Sequence, residues 1–475
     1  MNVIRHPIIG GEAVKGNAGE RAIINPFDSS ELGRVTYADR EQAASAVELA
    51  DSIFRTKKLS GKERSVILGK ASELILQRKD EITSTIVKEA GKPKQYARSE
   101  ADRASFTFLA ASKAALGFDE PITPDLRGAP NAVGRAVSYN YFPIGVICSI
   151  TPFNFPLNLV AHKVAPAIAS GNTIVLKPAP QTPLSSFLLE DILKESGLPD
   201  GWLNVVPCEN DIAQYVIQDE RVKMLSFTGS ANVGWYLKSL IPKKKVTLEL
   251  GGNGAVIVDE ATDIDSLVKS LVIAGYSYAG QVCISLQNLY IKDTIYDEVA
   301  ARFVEIAKQV AVGDPMDGDV IVGPMIAHQA AEKAWSWVED AVAKGATKLC
   351  GEFRAPNIIT PTILENVPND CNVSCEEVFA PVVVLHKYSD IDEVVKELNT
   401  SRYGLQAGLF SSKRDIVERV YQRLEVGGLI VGDTNTFRID TMPYGGVKDS
   451  GYGREGVEFA MREMCDIKVL VEKQS

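Results

Sequence analysis

Between Ala136 and Leu250, short runs rich in β-branched and apolar residues alternate with stretches of helical spacing. GVICSI, NTIVLKP, LNVVP, KMLSFTG and KVTLEL read as strands, with helices expected from Leu157, Pro183, Asp211 and Val233. Strands separated by helices lie parallel, and a parallel sheet needs both faces covered, so this segment is confined to an open α/β layer structure. A second alternating region runs from Ala255 to Val431 and holds AVIVD, QNLYIKD, PVVVLHKY and AGLFSS, with helices at EVAARFVEIAKQV and around AEKAWSWVEDAVAKG. It predicts a second α/β domain, in keeping with 475 residues, too many for one core of about 100 to 200. From Glu41 to Gly117 the chain is rich in Ala, Leu, Glu and Lys and predicts three or so long helices. DEPITPDLRGAPN, residues 119–131, carries three prolines and a glycine and reads as an extended arm or crossover. The final CDIKVLVEKQS alternates like an edge strand, able to pair across a subunit boundary.

Charge excludes some partners. Lys and Arg number 51 against 61 Asp and Glu, a net charge of -10, and no basic stripe with interleaved aromatics is present, so nucleic acid is not expected. No apolar run approaches the ~20 residues of a membrane span, and the opening MNVIRHPIIGGEAVKGNAGE lacks the apolar segment of an export signal, so a soluble cytoplasmic protein is expected. The seven cysteines are scattered and odd in number, which fits a reducing compartment. Cys371 and Cys375 have no second cysteine pair or nearby histidines, so no metal is expected.

Several short motifs could carry chemistry, each with a plainer alternative. Gly451-Tyr452-Gly453-Arg454-Glu455-Gly456 fits a dinucleotide fingerprint in letters only, because no βαβ unit follows; it reads as a tight turn before the last helix. Ser226-Phe227-Thr228-Gly229-Ser230 ends a predicted strand and opens a helix, where free N–H groups could receive a phosphate or Ser230 could merely cap the helix. Ile150-Thr151-Pro152-Phe153-Asn154-Phe155-Pro156-Leu157 puts a carboxamide at a strand end, as an oxyanion donor or as a turn Asn. Glu249 follows an apolar strand and precedes Leu250 and three glycines within four residues, as a base in an apolar cleft or as a strand-end acid in water. Cys283 follows 34 residues later among small and polar neighbours that leave a nucleophile approachable, although a lone Cys is usually inert core.

Taken together, TPFNFPL (151–157), LKPAPQTP (176–183), SFTGS (226–230), LELGGN (248–253), GQVC (280–283), EEVFAPV (376–382) and MPYGGVKDSG (442–451) resemble the aldehyde dehydrogenase superfamily in order and spacing. The resemblance covers essentially the whole chain. It implies an α/β fold with a Rossmann-like NAD(P)-binding domain (1–118 and 141–250), an α/β catalytic domain (251–447), a small oligomerisation arm (119–140 and 463–475) and a connecting segment (448–462). Homodimers or homotetramers are usual in such proteins.

The resemblance also implies roles. The counterpart of Cys283 attacks the aldehyde as thiolate, its own N–H and the Asn154 amide hold the oxyanion, hydride leaves toward the nicotinamide, and water activated by Glu249 hydrolyses the thioester. Lys177 would meet the adenine ribose, Ser230 and its helix N-terminus the pyrophosphate, and Glu377 the nicotinamide ribose, with Phe379 beside the ring. Ile150, Thr151, Pro152, Phe153, Gly229 and Leu250 complete the expected cofactor contacts. Pro180 stands where many NAD-dependent relatives carry a ribose-binding Glu. That removes repulsion toward a 2′-phosphate without adding a donor, so NAD is the expectation and NADP stays open.

Arg103, His162 and Arg438 fall where the family's substrate tunnel and anion-binding groups lie. They point to a small anionic or hydroxylated aldehyde such as lactaldehyde, glyceraldehyde 3-phosphate or sulfolactaldehyde. Val282 replaces an Arg found in some of those branches. Surface salt bridges for both arginines and a core His162 are the plainer alternative. Two rivals stand beside this: a CoA-acylating enzyme, which Glu249 opposes because the family's CoA-acylating branch usually lacks it, and a catalytically silent relative serving as a binding protein.

Overall fold

The computed structural model describes residues 3–354 and 356–473. An N-terminal hairpin, β1 (Ile8–Ile9) and β2 (Glu12–Ala13), precedes four helices rather than three or so: α1 (Arg40–Thr56), α2 (Gly61–Gln77), α3 (Lys79–Ala90) and α4 (Lys94–Ala115). Asp39 with Gln42 and Ser60 with Glu63 form capping boxes that start α1 and α2. Only Arg78 parts α2 from α3, with no Gly or Pro to announce the break, which is why periodicity runs the two together. Gly91, left-handed at φ 64°, ends α3, and Pro93 precedes α4.

β3 (Arg135–Pro143) and β4 (Val146–Ile150) then lead into the alternation α5 (Asn158–Ala169), β5 (Thr173–Lys177), α6 (Leu184–Glu195), β6 (Leu203–Val205), α7 (Asn210–Gln218), β7 (Val222–Thr228), α8 (Ala231–Leu240) and β8 (Lys245–Glu249). The strands lie parallel in the order β8-β7-β4-β5-β6, with the hairpin antiparallel beyond β6. Successive side chains divide between the faces. Ile147, Ile174 and Leu176 pack under the helices that include α2, α4 and α5, while Val146, Cys148, Val175 and Leu248 pack on the side of α1 and α7. Strand order reverses at β4, between β5 and β7, and a crevice forms at such a reversal beyond the carboxyl ends of the strands.

The second sheet contains β9 (Ala255–Val258), β10 (Asn288–Lys292), β11 (Thr347–Cys350), β12 (Thr362–Glu365), β13 (Val382–Tyr388), β14 (Gln406–Phe410) and β15 (Gly428–Val431). Its order is β11-β12-β13-β10-β9-β14-β15, parallel except for β11. The glycine-rich turn at 451–456 precedes the last helix, Val457–Glu463, as its spacing predicts. Its first residues also form β16 (Gly451–Tyr452), antiparallel to β8, with Gly451 opposite Glu249. The final strand β17 (Cys465–Lys473) pairs antiparallel with β3 along its whole length, leaving Ile467, Val469, Leu470 and Val471 exposed. No helix among the described residues is long and apolar enough to cross a membrane.

Candidate active site

Cys283 sits in a turn that leads from a short 3-10 segment, Ser277–Gly280, toward β10. The approach is contorted: Tyr278, Ala279 and Gly280 are all left-handed, at φ 51°, 52° and 67°. Two such non-glycine residues cost about 1–3 kcal/mol each unless their surroundings hold them. Here the Tyr278 hydroxyl donates to the Ala90 carbonyl at 2.8 Å, and the buried Gln281 amide accepts from Ile326 N–H at 2.8 Å and donates to the Pro324 carbonyl at 3.2 Å. A Cβ on Gly280 would overlap the Ala380 carbonyl oxygen, so only glycine lets the turn pass.

Three side chains from distant elements converge near this thiol. Asn154, buried in the loop after β4, donates from Nδ2 to the Gln281 carbonyl at 2.9 Å. Glu249, at the end of β8, is buried with neither carboxylate oxygen hydrogen-bonded. Tyr444 places its hydroxyl 3.4 Å from the Cys283 sulfur, under the Arg438 guanidinium, whose carbon lies 3.6 Å from the ring centroid.

Burial dominates the electrostatics. It pushes the Cys283 thiol up, against the Tyr444 hydrogen bond and the Arg438 charge, which favour the thiolate. It also drives the Glu249 carboxyl well above the usual range, with Glu455 adding to the rise and Arg438 and Lys163 opposing it. For Glu455 burial is outweighed, because Lys163 donates to it at 2.9 Å, and its carboxyl lies below the usual range.

Two cavities meet at Cys283. One, of about 360 Å³, is walled by Pro152, Phe153, Asn154, Thr228, Gly229 and Ser230 from the first sheet's strand ends, and by Glu249, Leu250, Glu377 and Phe379. Ser230 stands at the N-cap of α8 without a side-chain cap, so the helix N-terminus is left for another acceptor. Thr228 Oγ1 is likewise buried without a partner. A Cβ on Gly229 would come within 2.6 Å of the Phe227 ring, and one on Gly251 would overlap the Glu377 carboxylate. Burial pushes Glu377 up to about 7, and Gly252 N–H donates to it at 3.4 Å. Phe379, left-handed at φ 54°, meets Phe153 edge to face at 5.9 Å. An uncapped helix N-terminus, an acid able to accept from hydroxyls and a pair of aromatic rings, set at the strand-order reversal, fit a dinucleotide.

The other cavity, about 280 Å³, is lined by Tyr96, Ser99, Arg103, Phe155 and Thr436, and shares Leu159, Cys283 and Arg438 with the first. Arg103 is not free: it grips Asp440 with two bonds, 2.6 and 3.2 Å. Asp440 also accepts from His162 Nε2 at 2.8 Å and Asn158 Nδ2 at 3.4 Å. Burial opposes its ionisation, yet His162 and Arg103 hold the carboxyl well below the usual range. Burial and Arg438 lower His162, against the Asp440 hydrogen bond and the Asp440 and Glu455 charges, which favour the protonated ring. Arg438 is buried, reaches Glu455 only at 3.5 Å, and its Nε has no partner.

Most of the residues singled out in the sequence therefore gather on these walls. Ile150, Thr151, Lys177 and His162 do not. Ile150 pairs with Lys177 across the strand ends, Thr151 N–H donates to the Lys177 carbonyl at 3.3 Å, and Lys177 is buried rather than a surface lysine. His162 is turned onto Asp440, behind Arg103. Sequence reasoning missed Tyr444, Asp440, Lys163 and Glu455. Tyr444 lay inside a quoted motif and Asp440 two residues past Arg438, whereas nothing local couples Lys163 to Glu455, 292 residues away.

The sequence model of the aldehyde dehydrogenase family matches residues 13–470. A 3-sulfolactaldehyde dehydrogenase of Priestia aryabhattai is 37% identical over 455 residues, covering 96% of this chain and 95% of that protein. The crystal structure of aldehyde dehydrogenase 21 from Physcomitrella patens, in complex with the reaction product succinate, superposes with a TM-score of 0.97 at 38% identity, covering 100% of this chain and 99% of that one. The glyceraldehyde-3-phosphate dehydrogenase GapN of Methanocaldococcus jannaschii, complexed with NADP, gives 0.90 at 35% identity over 96% of this chain and 100% of that one.

Proposed function

This chain belongs to the aldehyde dehydrogenase family, and on that premise we propose that it oxidises a small anionic or hydroxylated aldehyde to its carboxylic acid with NAD(P)+, through a thioester on Cys283. The observation that carries the reading is the meeting of two cavities at one sulfur. A nucleophile there can be reached by a carbonyl from one side while a dinucleotide occupies the other.

The chain's own groups divide the work. Cys283 attacks the aldehyde carbon, and the oxygen left negative is met by the Asn154 amide, which keeps its second Nδ2 hydrogen beyond the bond to Gln281. When bound in the larger cavity, NAD(P)+ supplies the acceptor for the departing hydride. Ser230 and the α8 N-terminus would hold its phosphates and Glu377 a ribose, while Phe153 and Phe379 exclude water. Glu249, once ionised, takes a proton from the water that cleaves the thioester; its unpartnered oxygens are open to that water.

Arg438, buried and underbonded between the cavities, would grip an anionic tail, with Arg103 held in place by Asp440 as the second cation. The relatives act, by name, on sulfolactaldehyde and glyceraldehyde 3-phosphate, and one holds succinate. All three molecules carry an anionic group on a short carbon chain. In this reading residues 1–118 and 141–250 form the cofactor-binding domain, which also carries Asn154 and Glu249, and 251–447 form the catalytic domain that carries Cys283. The β3–β17 ribbon joins subunits of a cytoplasmic homodimer or homotetramer through its exposed apolar face.

The test is reduced-cofactor absorbance with sulfolactaldehyde, glyceraldehyde 3-phosphate, lactaldehyde, succinate semialdehyde and benzaldehyde, using NAD+ and NADP+ in turn, beside Cys283→Ala. Turnover that survives in Cys283→Ala would sink the thioester route.

A further inference from the structure

Tyr444 is buried and its main chain is pinned, donating from N–H to the Glu455 carbonyl at 3.0 Å and accepting from Glu455 N–H at 2.7 Å. Its ring packs with Ile284 and Leu405, flanked by Val282 and Cys283, and carries Arg438 on one face. The hydroxyl is thereby aimed, and its one hydrogen-bond partner among the described residues is the Cys283 sulfur at 3.4 Å. A phenol beside a thiol can donate or accept. Beside a thiolate it can only donate. Building on the reading of Cys283 as the nucleophile, we propose that Tyr444 is a catalytic residue whose phenol donates a hydrogen bond to that sulfur, steadying the thiolate before attack and again as leaving group.

Tyr444 itself transfers no proton in any step. The thiol proton leaves to solvent, the sulfur pair bonds to the carbonyl carbon, and the π pair moves to oxygen. As the sulfur loses its charge, the hydrogen bond to it weakens. The oxygen pair then re-forms the carbonyl as the C–H pair departs as hydride, for which a bound oxidised dinucleotide would be the acceptor, and the thioester is left on sulfur. Water then adds to the thioester carbon and yields its proton to Glu249, and when the tetrahedral adduct collapses the C–S bond breaks with its electron pair returning to sulfur. The Tyr444 hydrogen is already in place to receive that charge. Burial holds the phenol well above its ordinary pKa, so it stays protonated through the cycle. Arg438 favours the charge on the thiol and Glu377 and Glu249 oppose it, but among the described residues only Tyr444 makes a hydrogen bond to the sulfur.

The experiment is the pH dependence of Cys283 alkylation by iodoacetamide in the full-length protein, followed on the Cys283 peptide by mass spectrometry. Tyr444→Phe keeps the ring on which Arg438 rests and removes only the donor. Its profile should move to higher pH by about 1 to 2 units, the shift set by losing a hydrogen bond to a charged group. Ultraviolet thiolate absorbance, with Cys283→Ala as the blank, should move with it, and kcat, reduced near neutrality, should recover toward the parent as pH rises. Profiles that superpose on the parent's would overturn the role of Tyr444 while leaving the thioester route intact. Aldehyde oxidation that persists in Cys283→Ala would instead remove the nucleophile itself, and this inference with it.

Discussion

Glu249 and Glu455 are two buried carboxyls that face the same cations, Lys163 and Arg438, yet end on opposite sides of the usual range. Lys163 donates to Glu455 at 2.9 Å and keeps it ionised, and the resulting charge helps push Glu249 toward its neutral form. A carboxyl held in this way can serve as a base only once its proton has left.

Hydrolysis of the thioester should therefore quicken as pH rises through the elevated pKa of Glu249. Glu249→Gln should lower kcat by about 10²- to 10⁴-fold, the usual contribution of a general base. It should still release one equivalent of reduced cofactor in the first turnover. Rapid-mixing absorbance reads both phases, and loss of the burst together with kcat would show that Glu249 acts before the thioester forms.

The same substitution should stabilise the fold at high pH. A carboxyl whose folded pKa lies above its unfolded value favours folding below the unfolded value, and that contribution disappears as pH rises through the folded one. Glu249→Gln carries no such cost. Its thermal inactivation temperature should exceed the parent's by a margin that widens with pH; a constant margin would contradict this.

Asp440 behaves oppositely. Its folded pKa is depressed, so its contribution to stability is present above the unfolded value and disappears as pH falls through the folded one. Asp440→Asn should lower stability by about 1 to 3 kcal/mol near neutrality by loosening Arg103 and His162. It should also raise KM for anionic aldehydes more than for lactaldehyde, because Arg103 loses its fixed position. Equal KM changes for both would remove Arg103 from anion recognition.

Gly251→Ala should displace the Glu377 carboxylate, which occupies the space a Cβ would need. Cofactor Kd, measured by calorimetry, should rise about tenfold, the scale of one lost hydrogen bond of ordinary strength, with little change in aldehyde KM at saturating cofactor. An unchanged Kd would separate Glu377 from the dinucleotide.

Val469→Asp with Val471→Asp puts charge on the exposed apolar face of the β3–β17 ribbon. Light scattering should then report a smaller particle than for the parent. If the particle mass is the same, subunits do not join through that face.

The alternation of strand and helix made the first sheet legible, and every strand run read between 145 and 250 forms a strand within a residue or two of its expected place. The break at Arg78 was hidden because no capping residue marks it. The walls of the larger cavity were legible for a related reason: motif residues sit at strand ends, and strand ends of a parallel sheet share one edge. The charges behind them were not. Lys163, Asp440 and Glu455 are ordinary letters in a helix, a loop and a glycine-rich turn, and only three-dimensional proximity gives them partners. Lys177 was expected at the adenine ribose and His162 at the substrate tunnel; the fold faces His162 toward a neighbouring acid and sets Lys177 beside Ile150.

Arg438 is part of the partition between the two chambers, so a single positive charge is felt from both. An anion docking on one side cancels that charge, and a cationic nicotinamide on the other then meets less repulsion. Linkage makes the exchange mutual: the factor by which an inert anionic mimic tightens dinucleotide binding must equal the factor by which the dinucleotide tightens the mimic.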